Sequence, residues 1–220
     1  MFQIKICGIK TPADALAAVD AGVDALGLNF YSPSKRYLSI EDAVGVVDVI
    51  PPQVARVGVF VNAPRGQISE AIEMLSLDWV QLHGSETPEY LASLPATIPL
   101  IRACRTGKGG LSAVVDDLHR CREAGRVPDA VLIDALVAGE YGGTGAQADW
   151  DSFMDWQNVI GSVPLILAGG LEPGNVIAAI DQVAPTGVDT ASGVESSPGC
   201  KDPERMRQFV IAARYALNKR

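Results

Sequence analysis

Several things that would announce a function at once are scarce in this 220-residue chain. It holds only two histidines, His83 and His119, and four cysteines, Cys7, Cys104, Cys121 and Cys200, with no CxxC pair among them. That spacing argues against a structural zinc site, and a chain of this size and type is not expected to rest on disulfides. Positive charge is also short: 18 Lys and Arg face 26 Asp and Glu, for a net charge of −8, and no basic run tracks a phosphate backbone. No nucleic acid is therefore expected as a partner, and any bound anion must be held by local features rather than by the overall field. No apolar run approaches the roughly 18 residues of a membrane span. The N-terminus passes straight into strand-like sequence without the pattern of a secretory leader, so the expectation is a soluble cytoplasmic protein with no membrane partner. Low-complexity tracts and linkers are missing too, which leaves one domain over residues 1–220.

The chain is 48% hydrophobic and 20% charged, enough to bury a sizeable core. Short β-rich runs alternate with longer stretches of helical periodicity. The strand candidates lie at 2–9, 24–30, 55–62, 79–84, 99–105, 130–136, 164–170 and 187–193. Helix candidates lie at 11–22, 40–50, 65–75, 87–94, 111–125, 149–156, 173–183 and 203–218. Thr11, Thr87 and Asp202 are each followed by proline, the arrangement of a capped helix start. The strands read as continuous apolar runs, as strands covered on both faces do. Eight such units predict a closed (β/α)₈ TIM barrel. The competing open doubly wound sheet usually carries a glycine-rich turn after its first strand, and CGIKTP has no GxGxxG.

In barrel enzymes chemistry gathers at the C-terminal ends of the strands. The polar and glycine-rich oddities of this sequence fall there: Cys7-Gly8, Asn29 with Ser32–Arg36, Asn62, His83-Gly84, Arg102, Arg105, Asp134, Gly169-Gly170, Asp189 and Ser192-Gly193. Cys7 alone reads as a small buried hydrophobe, and Arg36 as either a surface charge or a fork for a carboxylate. Asp134 ends an apolar strand, so it is paired, hydrogen-bonded or protonated, and in the last case a general acid. Gly169-Gly170 lets backbone N–H groups approach an anion. GVESS, which begins at Gly193, is placed to form a short extra helix, and together these loops make the recurring phosphate site of barrels. The glycine-rich run 137–150 is expected to close over a ligand.

Taken together, KICGI, GLNFYSPSKR, VGVFVN, VQLHG, EYGGTG, LAGGLEPGNV and GVDTASGVESSPGCKD closely resemble the phosphoribosylanthranilate isomerase family of tryptophan biosynthesis, in order from Ile4 to about Phe209. One departure is Ala191, where the family more often has a hydroxyl. The resemblance implies a (β/α)₈ barrel carrying out an Amadori rearrangement of a phosphorylated aminoaldose, with no redox cofactor and no metal. It assigns the general base to Cys7 and the general acid to Asp134. Arg36 is to face the anthranilate carboxylate, with Asp189 and His83 as further substrate contacts, and the phosphate is to sit at Gly169, Gly170, Ser192 and Gly193. Lys5 shares the strand parity of Cys7 and is placed to help it electrostatically. The site is then expected to lower the pKa of the thiol, which is only a few per cent ionised at neutral pH at its ordinary value of ~8.5. Indole-3-glycerol-phosphate synthase is the nearest enzyme alternative, but its lysine–glutamate set is not at the strand ends. Sugar-phosphate epimerases usually need strand-borne histidines with metal-binding carboxylates, and His83 and His119 are the only histidines here. A non-catalytic phospholigand-binding barrel would need neither Cys7 nor Asp134. Monomer and homodimer both stay open.

Overall fold

A computed structural model describes residues 1–105, 110–134 and 150–219. Its eight parallel strands are β1 (Ile4–Cys7), β2 (Ala25–Asn29), β3 (Ala55–Phe60), β4 (Trp79–Leu82), β5 (Leu100–Arg105), β6 (Ala130–Asp134), β7 (Leu165–Ala168) and β8 (Gly187–Thr190). They pair in sequence order and β8 returns to β1, closing the barrel. Between them run α1 (Pro12–Asp20), α2 (Ile40–Val47), α3 (Arg65–Leu75), α4 (Pro88–Ala92), α5 (Gly110–Glu123), α6 (Trp156–Ile160) and α7 (Val176–Val183), and α8 (Pro203–Leu217) ends the fold. The eight predicted strand–helix units are all present.

Two apolar layers follow from strand parity. Ile4 and Ile6 face outward into the large core between barrel and helices, with Leu26, Leu28, Ile133, Leu165, Leu167 and Phe209. The inward set includes Ala25, Val57, Ile101, Leu132 and Ile166, and Phe2 packs edge-on against Trp79 at the N-terminal end, with ring centroids 5.7 Å apart. The lower barrel is thus filled with side chains, and polar inward residues are left for its upper layers.

The anticipated caps form. Thr11 Oγ1 accepts from the Asp14 amide, Thr87 Oγ1 from the Tyr90 amide and Asp202 Oδ1 from the amides of Glu204 and Arg205. Two helix expectations are corrected. The 149–156 segment is not one helix: a 3₁₀ turn covers Asp151–Phe153, and α6 begins only at Trp156. Asp155 breaks the run with φ −105° and ψ 21°, its carboxylate held by Asn158 Nδ2 at 2.6 Å, a local bond that competes with helix. GVESS likewise forms no α-helix, and only its first two residues are helical at all. One 3₁₀ turn covers Ser192–Val194, then Glu195–Ser197 (β9) pairs antiparallel with Cys200–Lys201 (β10). Of the 137–150 run, 137–149 lie outside the described residues.

Candidate active site

The site is built on the seam between β1 and β8. Their register sets Lys5 directly beside Asp189, and Lys5 Nζ meets Asp189 Oδ1 at 2.9 Å with the lysine side chain fully buried. Two residues along β1 on the same face stands Cys7, close enough for the Lys5 charge to favour its thiolate. Gly8 then takes φ +79°, and an added Cβ would lie 2.5 Å from Arg36 Cδ. Only glycine suits both demands, and the turn leaves the Arg36 stem lying over the residue next to the thiol.

Arg36 does not stand free. Its Nε and Nη2 donate to the two oxygens of Glu195 at 2.6 and 2.8 Å. Lys201 Nζ donates to Glu195 Oε1 at 2.9 Å and to the Ala191 carbonyl at 2.8 Å. Burial alone would raise the Glu195 carboxyl, but these bonds from Arg36 and Lys201 outweigh it and hold its pKa at about 2.

The expectation of a depressed thiol pKa is corrected. Burial pushes the Cys7 thiol above its ordinary value; Lys5 and Lys201 oppose that rise and Asp189 adds to it. Burial also raises Asp189 while Lys5 pulls it back, and the charge of Asp134 pushes it further up. Asp134 therefore shares the electrostatic field of the β1–β8 pair from the end of β6, two strands away around the closed barrel. Lys5 stays above the ordinary lysine value, because Asp189 and Cys7 outweigh the lowering effect of its burial.

Gly169 and Gly170 leave β7 with φ of +90° and +66°. The end of β8 and the loop after it pack against Leu171, the residue that follows them. Thr190 Oγ1 donates to the Leu171 carbonyl at 2.6 Å, and a Cβ on Gly193 would run into that same carbonyl oxygen. Gly193 is thus seated against the loop that Gly169-Gly170 open.

His83 follows β4, where Gln81 Nε2 lies 2.9 Å from its Nδ1. Its loop is fixed by Glu86, which accepts from the Asn62 amide at 2.7 Å and the Gly84 amide at 3.0 Å. Arg102 does not join the mouth. It donates to Asp117 of α5 at 2.9 Å and reaches Glu86 at 3.5 Å, forming a buried cluster behind the His83 loop. No three His, Cys, Asp or Glu side chains gather as a metal would require among the described residues. In that same set, no helix is long and apolar enough to cross a membrane.

Sequence reasoning gave Lys201 and Glu86 no part in the site. A lysine in a two-residue hairpin strand and a glutamate past a strand end leave no periodic signal. Lys5, a charge within an otherwise apolar strand, did leave one.

The family model for N-(5'-phosphoribosyl)anthranilate isomerase matches residues 4–212. The chain belongs to this family. It is 44% identical to the N-(5'-phosphoribosyl)anthranilate isomerase of Syntrophus aciditrophicus strain SB, over 97% of this chain and 88% of the relative. Against that of Pseudomonas fluorescens strain SBW25 it is 42% identical, over 96% and 94%. Among solved structures, the phosphoribosyl anthranilate isomerase of Thermotoga maritima superposes with TM-score 0.86 at 37% identity, covering 98% of this chain and all of that one. A phosphoribosyl anthranilate isomerase in complex with reduced 1-(o-carboxyphenylamino)-1-deoxyribulose 5-phosphate superposes with TM-score 0.82 at 35% identity, over 98% and 100%. The isomerase family of tryptophan biosynthesis thus accounts for nearly the whole chain, and its TIM barrel is the barrel described above. The chain is an isomerase of a small phosphorylated substrate.

Proposed function

We propose that Cys7 and Asp134 carry the family's Amadori rearrangement, in which N-(5-phosphoribosyl)anthranilate becomes 1-(2-carboxyphenylamino)-1-deoxyribulose 5-phosphate. Asp134 gives a proton to the ribose ring oxygen as the bond from C1 to that oxygen breaks, and the anilinic nitrogen lone pair forms an iminium at C1. The iminium acidifies the C2 proton, which the Cys7 thiolate removes, and the electrons flow back to nitrogen to give an enolamine. Tautomerisation of that enolamine yields the ketose. The observation that carries this reading is the fully buried Lys5, which shares a face of β1 with Cys7 and is ion-paired at 2.9 Å with Asp189, on which the charge of Asp134 also acts. A buried cation beside a thiol favours the thiolate, which is the form a base needs.

In this reading the free donors of Arg36 receive the anthranilate carboxylate. Gly169, Gly170, Ser192 and Gly193 hold the phosphate through backbone N–H groups, while Asp189 and His83 contact the sugar and ring. The chain works as one catalytic domain over 1–220 in the cytoplasm, as a monomer or a homodimer. It uses no cofactor and no metal, and it binds neither nucleic acid nor membrane. Decay of substrate fluorescence without added cofactor or metal tests it. Cys7→Ser and Asp134→Asn are expected to slow turnover by about 10²- to 10⁴-fold each in folded protein. Near-wild-type rates in either variant would remove that residue from the mechanism.

A further inference from the structure

Glu195 is bonded too completely to be a reagent. Its two oxygens accept from Arg36 Nε, Arg36 Nη2, Lys201 Nζ and the Gly199 amide, at 2.6, 2.8, 2.9 and 3.2 Å. Four donors use the lone pairs of a carboxylate, and only 5% of the residue is exposed, so a substrate has no access to it. Arg36 is different. Glu195 takes two of its five N–H groups and leaves three, and 26% of its side chain is exposed. The same glutamate lies three residues after Ser192, and Lys201 ties it to the carbonyl of Ala191, just before the turn that carries Ser192 and Gly193. One buried carboxylate therefore joins the arginine from the β2 side of the mouth to the glycine loop from the β8 side.

We propose that Glu195 is a positioning residue that sets the enzyme's preference for a carboxylated substrate. It clamps one edge of the Arg36 guanidinium so that the remaining donors stand ready at a fixed place relative to the phosphate loop. An arginine already clamped loses little rotamer freedom when a carboxylate arrives, whereas a free one must be ordered at that moment. Lys201 keeps the clamp ionised. The clamp thus reads the spacing between the two anionic ends of the substrate, and in this it rests on the role given to Arg36 under Proposed function.

The test compares kcat/KM for N-(5-phosphoribosyl)anthranilate with that for N-(5-phosphoribosyl)aniline, which lacks the carboxylate. Wild type is expected to prefer the carboxylated substrate by about 10- to 100-fold, the range of a charge-assisted hydrogen-bonded pair. Glu195→Gln is expected to lose most of that preference while the aniline substrate stays within about threefold of wild type. In Arg36→Met the preference is lost outright, and adding Glu195→Gln to it costs nothing more. Equal slowing of both substrates by Glu195→Gln, or a retained preference, would overturn the proposal while Arg36→Met still upholds the role of Arg36. A retained preference in Arg36→Met overturns that role and the clamp with it. Should Glu195→Gln fail to fold, Glu195→Asp, which keeps the charge but shortens the reach, is read by the same ratio.

Discussion

A cysteine serves as a base only where something carries the charge of its thiolate. Burial works against Cys7, and the two buried lysines, Lys5 and Lys201, work for it. Lys5 is the larger influence, since its charge opposes the rise more than that of Lys201 and it also neutralises Asp189, which would otherwise raise the thiol further. Lys5→Met removes the cation and leaves Asp189 unpaired, so both changes move the thiol pKa upward. Ultraviolet thiolate absorbance, taken as the difference between each protein and its Cys7→Ser counterpart, is expected to titrate at higher pH in Lys5→Met than in the parent. A titration that does not move would show that Lys5 is only structural.

Between elements, the decisive contact is that of the two glycine loops. The 3₁₀ turn Ser192–Val194 fits against the Leu171 carbonyl only because residue 193 has no side chain. Gly193→Ala forces these loops apart, and overpacking of this kind typically costs ~1–3 kcal/mol. Thermal unfolding is expected to show that loss. Competitive inhibition by inorganic phosphate should weaken in the same variant, because the loops are no longer seated together. Unchanged stability together with unchanged inhibition would remove the loop packing from the phosphate site. Gly8 plays the matching part at β1, where its positive φ turns the chain under the Arg36 stem.

For the whole molecule, closure matters most. The β1–β8 seam carries the Lys5–Asp189 pair, and α8 packs on β1, α1, α7 and the turn after β8. Met206, Phe209, Val210 and Leu217 are buried on its inner face. Arg214 adds bonds to Asp24 Oδ1 at 2.6 Å and to the Gly22 carbonyl at 3.1 Å. Burial of side chains of this size contributes ~1.5–3 kcal/mol each, so the four together rival the ~5–15 kcal/mol by which a domain is typically stable. A chain ended at Asp202 is therefore expected to lose cooperative thermal unfolding by circular dichroism, not merely activity. A sharp transition near that of the full chain would mean that the barrel closes without α8.

The eight-unit order was legible because each unit carries local signals: apolar runs of strand length, helical periodicity, and caps such as Thr11-Pro12 and Asp202-Pro203. Strand order in a barrel follows chain order, so no long-range knowledge was needed to close it. The candidate residues Cys7, Asp134, Gly169 and Ser192 were also readable, as unusual types at predictable strand ends. What depended on tertiary structure was the pairing. Arg102 stands at a strand end like the others, yet it turns to Asp117 and Glu86 behind the mouth. Glu195 leaves the expected helix because four donors from three residues, Arg36, Lys201 and Gly199, hold it in an extended strand. The thiol of Cys7 stands above its ordinary pKa because burial, which no local pattern measures, outweighs the lysines around it. Hydrophobic periodicity and capping act within a few residues, and they determined the elements. Ion pairing and desolvation depend on which side chains meet across the closed barrel, and the tertiary structure alone decided those.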